Sequence, residues 1–315
     1  MLTFEERKRN NELSELRKPI YRKLYEYLPY LSKEQLEKVR EKRGIITDTL
    51  SEYCRAIPFS RADLNKLFSD LKEYFPEHLV HAAGFTKVLY NKDYPELGAV
   101  YNCLERNLGN ICFGYHDTEG DVYYIRPHKD HAKGQSLTPF RVDGRCDSVT
   151  ILTEGEYKAL ASKQLTGCYT VSLSGLQSFS GANYGKLCKA LDPKSEIILI
   201  LDYEHKPKWV ESDAETGPIH TLKLALKLEE SGYRVRIGIL PRKYASESTE
   251  GWKVDIDGAL AKGMTAEEYA EVIAKAVKPI DYVDAVCPEI QVEIKKFLPS
   301  VSNLKMMERV YAGNK

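Results

Sequence analysis

Three apolar stretches of this chain run straight into pairs of acids: SVTILT into Glu154 and Glu156, EIILIL into Asp202 and Glu204, and GWKV into Asp255 and Asp257. In an open α/β sheet, ligands bind beyond the carboxyl ends of the strands, so acids placed there from distant parts of the sequence can converge. Clustered carboxylates repel one another unless cations sit among them. The hard, oxygen-seeking cation expected for such ligands is Mg²⁺, or Mn²⁺ in its place; Mg²⁺ retains several waters and bridges to phosphate. The pattern therefore predicts one shared metal site and phosphoryl transfer as its chemistry.

Each pair also has a plainer reading. Thr153-Glu-Gly-Glu156 has the form of a capping box, with Thr153 capping a helix and Glu156 reaching back to its amide. Glu154 is not needed for that cap, although a helix dipole favours a carboxylate there without any function. Gly155 permits close backbone approach or an unusual φ, which suits a crowded site. Asp202 and Glu204 face the same way if the chain stays extended, and Lys206 and Lys208 are the counter-charges a simple surface loop would use. Asp255 and Asp257 can simply begin a helix IDGALAKG that Gly263 ends.

The elements that must position these acids are legible in outline. From Leu2 to about Phe85 the pattern is helical, with Ser32-Lys-Glu-Gln35 and Ser60-Arg-Ala-Asp63 as helix starts and Gly44 as a stop. Residues 88–146 change to short aromatic and β-branched runs (AVYNCL, ICFGYH, VYYIRPH), with Asp117-Thr-Glu-Gly120-Asp121 as a hairpin turn. From Ser148 apolar strands alternate with helical stretches: SVTILT, EYKALASKQL, CYTVSLS, NYGKLCKAL, EIILILD, HTLKLALKLEESG, YRVRIGILP. Such alternation predicts βαβ units, hence an α/β fold with a mainly parallel sheet and flanking helices. The expected organisation is a helical region over 1–87, a small mixed β region over 88–146, the α/β domain over 147–263, and a helical tail over 264–315.

Composition narrows the function classes. The formal net charge of zero argues against a uniformly basic surface that coats nucleic acid, so any such contact must be a local patch. The best candidate is the stretch holding Arg126, Lys129, Lys133, Arg141 and Arg145 with Tyr123, Tyr124 and Phe140; a solvated basic loop is the plainer alternative. No apolar run approaches the roughly 20 residues needed to cross a bilayer, and the charged N-terminus lacks the apolar core of a secretory signal. A cytoplasmic protein without a membrane partner is expected. The cysteines at 54, 103, 112, 146, 168, 188 and 287 show no CxxC spacing, so mostly buried, reduced thiols and no zinc are expected. His78 with His81 and His128 with His131 lack a third ligand of suitable spacing.

The motifs EGEYK, D-x-E and D-x-D after successive strands resemble the Toprim domain, shared by bacterial-type primases, type IA and type II topoisomerases and certain nucleases. Between them, CYTVSLSGLQSFSGANYGKLCKAL is similar to the second strand, small-residue turn and helix that precede the metal-binding strand in primases. Upstream, ICFGYHDTEGDVYYIRPH is similar to the hairpin of the primase RNA-polymerase core. The resemblance covers roughly residues 105 to 263 and points to Toprim primase-like proteins of phages, plasmids and integrated elements. It implies Glu154 and Asp202 as catalytic residues, and Glu154, Asp202, Glu204, Asp255 and Asp257 as ligands of Mg²⁺ or Mn²⁺. It further implies Arg126, Lys129, Lys133 and Arg141 as contacts to nucleic acid or nucleotide.

Two residues depart from the family pattern: Glu204 replaces the usual Asp, and Lys158 stands where replicative primases have Asp. The zinc-binding domain with which replicative primases engage template is also missing from the sequence, so template selection is expected to need a helicase or zinc-domain partner. The resemblance implies a nucleotidyltransferase that makes short RNA primers from ribonucleoside triphosphates on a single-stranded DNA template. A Toprim nuclease and a non-catalytic nucleic-acid-binding replication protein remain open beside it.

Overall fold

Strands that are covered on both faces, as in a parallel sheet, read as continuous apolar runs. The runs VTILT and EIIL are of this kind: Ile151, Leu152, Ile197, Ile198 and Leu199 are fully buried. The structure, a computed structural model, describes residues 4–83, 104–128, 138–144, 148–173, 175, 182–212 and 215–297. Two compact units emerge, one of Met1–Glu37 with Thr47–Ser136 and one of Lys38–Ile46 with Leu137–Lys315.

The first unit contains α1 (Phe4–Tyr27), the start of α2 (Lys33–Arg43), α3 (Thr47–Tyr53), β1 (Cys54–Ala56), α4 (Arg61–Lys72), α5 (Glu77–Ala82), β2 (Ile111–His116) and β3 (Val122–Pro127). The expected helix starts form: Ser32 and Gln35 exchange side-chain and backbone hydrogen bonds, and Ser60 accepts from the Asp63 amide. β1, β2 and β3 make a three-stranded antiparallel sheet. The turn between β2 and β3 is the predicted one, with Asp117 Oδ1 accepting from the amides of Glu119 and Asp121. The predicted run AVYNCL falls almost wholly outside the described residues.

The second unit carries β4 (Phe140–Val142), β5 (Val149–Glu154), α6 (Glu156–Thr166), β6 (Thr170–Leu173), α7 (Ala182–Ala190), β7 (Glu196–Leu199), β8 (Tyr203–His205), α8 (Pro207–Glu211), α9 (Gly217–Glu230) and β9 (Arg234–Ile237). It continues through β10 (Ser246–Ser248), β11 (Gly251–Val254), α10 (Ile256–Ala261), α11 (Ala266–Ala274), α12 (Tyr282–Ala285) and α13 (Pro288–Phe297). Its main sheet has the order β4-β6-β5-β7-β9. β6, β5, β7 and β9 are parallel, and β4 closes one edge in the antiparallel sense. The mainly parallel sheet with flanking helices is thus as expected. Because β6 lies on one side of β5 and β7 on the other, the strand order reverses between β5 and β7. In open α/β sheets that reversal opens a crevice at the carboxyl ends.

Two sequence expectations are corrected here. GWKV is a strand, β11, but it pairs antiparallel with β8 and β10 in a separate small sheet rather than extending the parallel one. A strand of four residues gives no sequence signal of which sheet it joins, and β8, directly after the Asp202 turn, offered the nearer edge. The capping box at Thr153 does not form. Thr153 remains inside β5 with its hydroxyl buried and without a hydrogen-bond partner among the described residues, and Gly155 takes the cap position at φ 83°. A positive φ there is cheap only for glycine, so the chain turns from strand to helix without a side-chain cap.

Among the described residues no helix is long and apolar enough to cross a membrane. Of the described cysteines, Cys54 and Cys112 are buried, whereas Cys168, Cys188 and Cys287 are half-buried, more exposed than expected; all are free thiols. The core assignment has a direct check. Ile198→Ala, in the middle of the sheet, should lower unfolding free energy by about 2–5 kcal/mol in urea titrations, whereas Val292→Ala, on the exposed face of α13, should change it by less than about 0.5 kcal/mol.

Candidate active site

Parallel pairing sets Leu152 of β5 opposite Leu199 of β7. Glu154, ending β5, and Asp202, just beyond β7, therefore leave the same edge of the sheet at neighbouring positions, in the crevice where the strand order reverses. Asp202 is buried, and both of its oxygens face ammonium groups: Lys158 of α6 at Oδ1 and Lys253 of β11, 2.5 Å away, at Oδ2. Burial alone would raise the Asp202 carboxyl; the attraction of Lys158 and Lys253 outweighs it and holds the group below the ordinary aspartate range. Lys253 is shifted the other way, with the Asp202 charge overcoming desolvation to raise its ammonium.

Glu154 differs. Its side chain has no hydrogen bond or ion pair among the described residues, and burial pushes its carboxyl up despite Lys158, with Asp202 and Glu204 adding repulsion. Glu204 lies in β8 opposite Lys253. Its Oε1 accepts the Gly217 amide at 3.0 Å, and its Oε2 meets Lys206 at 2.8 Å. Gly217 is required by that approach: a Cβ there would lie 2.7 Å from the Asp202 carbonyl oxygen. Glu204 thus does use Lys206, as the plain-loop reading foresaw, but it is buried rather than a surface residue.

Asp255 caps α10, its Oδ1 accepting the Gly258 amide at 2.9 Å, while Oδ2 stands 3.5 Å from Lys253. Asp257, within the first turn of α10, is 1% exposed. Arg43, at the end of α2, reaches its Oδ2 at 2.5 Å, and Oδ1 has no partner among the described residues. Burial, then repulsion from Asp255, raise the Asp257 carboxyl, with Arg43 opposing.

The predicted acids are thus brought to one edge, linked through Lys158 and Lys253, but not as a ready cage. An Mg²⁺ ligand needs a carboxylate oxygen turned to the ion. Both oxygens of Asp202 and of Glu204 are committed to other donors. Among the described residues no three His, Cys, Asp or Glu side chains stand together as a group able to hold a metal. The set as arranged does not fit a protein-held cation at Asp202.

The described basic candidates fall one in each unit. Arg126 lies in β3 of the first unit and Arg141 in β4 of the second, where it approaches the Lys189 carbonyl oxygen at 3.5 Å. Lys129, Lys133 and Arg145 fall outside the described residues. Sequence reasoning missed the roles of Arg43 and Lys253. It also missed a buried clasp in which Glu293 of α13 joins the His205 ring at 2.5 Å and the Thr216 hydroxyl at 3.1 Å. Only Lys253 carried a local signal, two residues before Asp255 beside an acidic pair.

No protein-family model and no curated protein sequence matches the chain. Solved structures do. A DnaG primase catalytic domain bound to single-stranded DNA aligns with a TM-score of 0.55 at 16% identity, over 87% of this chain and 83% of that one. The RNA polymerase domain of Mycobacterium tuberculosis primase DnaG aligns at 0.53 and 12% identity, over 97% of each chain. The fold is that of the bacterial primase catalytic core. The Aquifex aeolicus primase, with its zinc-binding and RNA polymerase domains, aligns at 0.51 and 16% identity, over 89% of this chain and 68% of that one. Within this primase fold, the crevice edge of the parallel sheet is occupied by acids paired to lysines.

The opposite shifts of Glu154 and Asp202 predict opposite effects on stability. A raised carboxyl contributes fully below its unfolded value, about pH 4, and that contribution is lost as pH rises through the folded value. Glu154→Gln should therefore stabilise the fold at pH 7, the gain vanishing below about pH 4. A depressed carboxyl stabilises above its unfolded value and loses this as pH falls through the folded value. Asp202→Asn should cost on the order of 3 kcal/mol at pH 7, the deficit closing in acid. Urea titrations of both variants across pH check the signs; a shared sign would contradict the assignment.

Proposed function

We propose that this chain is a primase-like nucleotidyltransferase that joins ribonucleotides on a single-stranded DNA template. The observation that carries the reading is the position of Glu154 and Asp202: in a primase fold, they flank the crevice between the two central parallel strands. In the step envisaged, a primer 3′-oxygen bonds to the α-phosphorus of a triphosphate, the bond to the bridging oxygen breaks, and pyrophosphate leaves. Glu154, whose side chain has no partner among the described residues and whose carboxyl is raised by burial, suits the base that takes the hydroxyl proton. Lys253, partly open to solvent beside Asp202, suits the charge that offsets the phosphate.

Mg²⁺ or Mn²⁺, and no zinc, belongs to the same proposal as companion of the triphosphate, a usual way for Mg²⁺ to enter such sites. Arg126, Lys129, Lys133 and Arg141 are proposed to contact template or nucleotide, and a helicase or zinc-domain partner to select the template. The cytoplasm is the compartment where such a partner, DNA and ribonucleotides meet.

With single-stranded DNA, Mg²⁺ or Mn²⁺ and labelled ribonucleotides, the protein should make short RNA products. Asp202→Asn and Glu154→Gln should abolish them. Cleavage of the DNA without synthesis would replace the polymerase reading by the nuclease; neither activity, with unchanged DNA binding by both variants, would leave a binding protein. Template recognition has its own measurement. Replacing Arg126 and Lys133 by Ala should weaken single-stranded DNA binding and reduce the slope of log affinity against log salt by roughly 0.7 for each phosphate no longer neutralised.

A further inference from the structure

Asp202 stands at the centre of the crevice, and it receives ammonium groups from two unrelated elements. Lys158 comes from the first turn of α6, and Lys253 from β11, where the strand register sets it opposite Glu204. The Lys158 pairing is unlike a loose surface ion pair, and Lys253, 37% exposed, meets the same buried carboxylate. The side chains of Lys158 and Asp202 are 14% and 9% exposed, and Lys253 bridges onward to Asp255 Oδ2 at 3.5 Å. Nearby, Glu204 is held by the Gly217 amide and Lys206, and one oxygen of Asp257 by Arg43. A divalent ion could reach an Asp202 oxygen only by displacing the ammonium that holds it, because two cations on one carboxylate oxygen repel strongly in a buried site.

We propose that Lys158 and Lys253 are the resident cations of this site, holding at Asp202 the positive charge that a divalent ion would otherwise bring. The nucleotide-free protein then binds no divalent cation at Asp202. Lys158 is the decisive residue, because it is the more buried of the two, its side chain 14% exposed against 37% for Lys253. Removing it leaves a buried carboxylate oxygen without a donor beside Glu154, which has no ion pair of its own among the described residues. Two hard oxygen ligands on one edge then become available to a cation.

The proposal concerns the resting cluster and not primer synthesis, so its test reads metal and not nucleotide incorporation. The full chain, stripped with chelator and dialysed, is titrated with Mn²⁺ while free ion is followed by electron paramagnetic resonance. Wild type should show no stoichiometric site. Lys158→Ala should gain one Mn²⁺ per chain, and Lys158→Ala combined with Asp202→Asn should lose it again. If circular dichroism shows that Lys158→Ala has not kept the native fold, Lys253→Ala puts the same question to the other oxygen. Stoichiometric Mn²⁺ in wild type that Asp202→Asn removes would overturn the proposal, and so would the absence of any gain in folded lysine variants.

Discussion

The parallel pairing of β5 with β7 is the constraint on which the second unit's chemistry depends. With Leu152 opposite Leu199, the chain leaves β5 at Glu154 and β7 at Asp202 on one edge. Both strands are buried, so their register is fixed by the apolar side chains that must point into the two layers; a slip of one residue would turn them all over. The helices that cover the sheet then deliver the other charges. α6 follows β5 at once through the left-handed turn at Gly155, which brings Lys158 back over the strand ends. α10 places Asp257 where Arg43 can meet it.

Charge at this edge is balanced in an uneven way. Asp202 is held ionised by two lysines, while Glu154 and Asp257 are pushed toward the neutral form by burial. Paired carboxyls whose surroundings drive their pKa values apart are a common mark of a working site, where one group keeps its charge and the other exchanges a proton. The same unevenness makes the site locally unfavourable to stability at Glu154, a trade often seen where function sets the residue.

How much of this was legible in the sequence depended on the range of the forces involved. The strands β5, β6, β7 and β9 and their helices were readable because apolar periodicity is a local property, and so was the hairpin at Asp117, whose turn is closed by its own side chain. Glu154 and Asp202 could be placed because both end strands of a sheet whose parallel sense follows from the alternation of elements. β11 could not be assigned to its sheet, because pairing is decided between segments, and four residues carry no address. The Thr153 capping box failed because the same residues had to finish a strand, and the ladder of β5 held Thr153 extended. Arg43 was invisible as the partner of Asp257, since nothing local links the end of α2 to the start of α10.

Glu204 shows what a one-carbon change can mean. Its carboxylate is the lid on the first turn of α9, accepting the Gly217 amide that begins the helix, while its other oxygen is neutralised by Lys206. The extra methylene is what spans the distance from β8 to that helix end. An aspartate in its place would be shorter by about one carbon–carbon bond, roughly 1.5 Å, and would fall short of the amide. Glu204 thus works here as joinery between β8 and α9. Shortening residue 204 to aspartate would cost α9 its anchor beside Asp202.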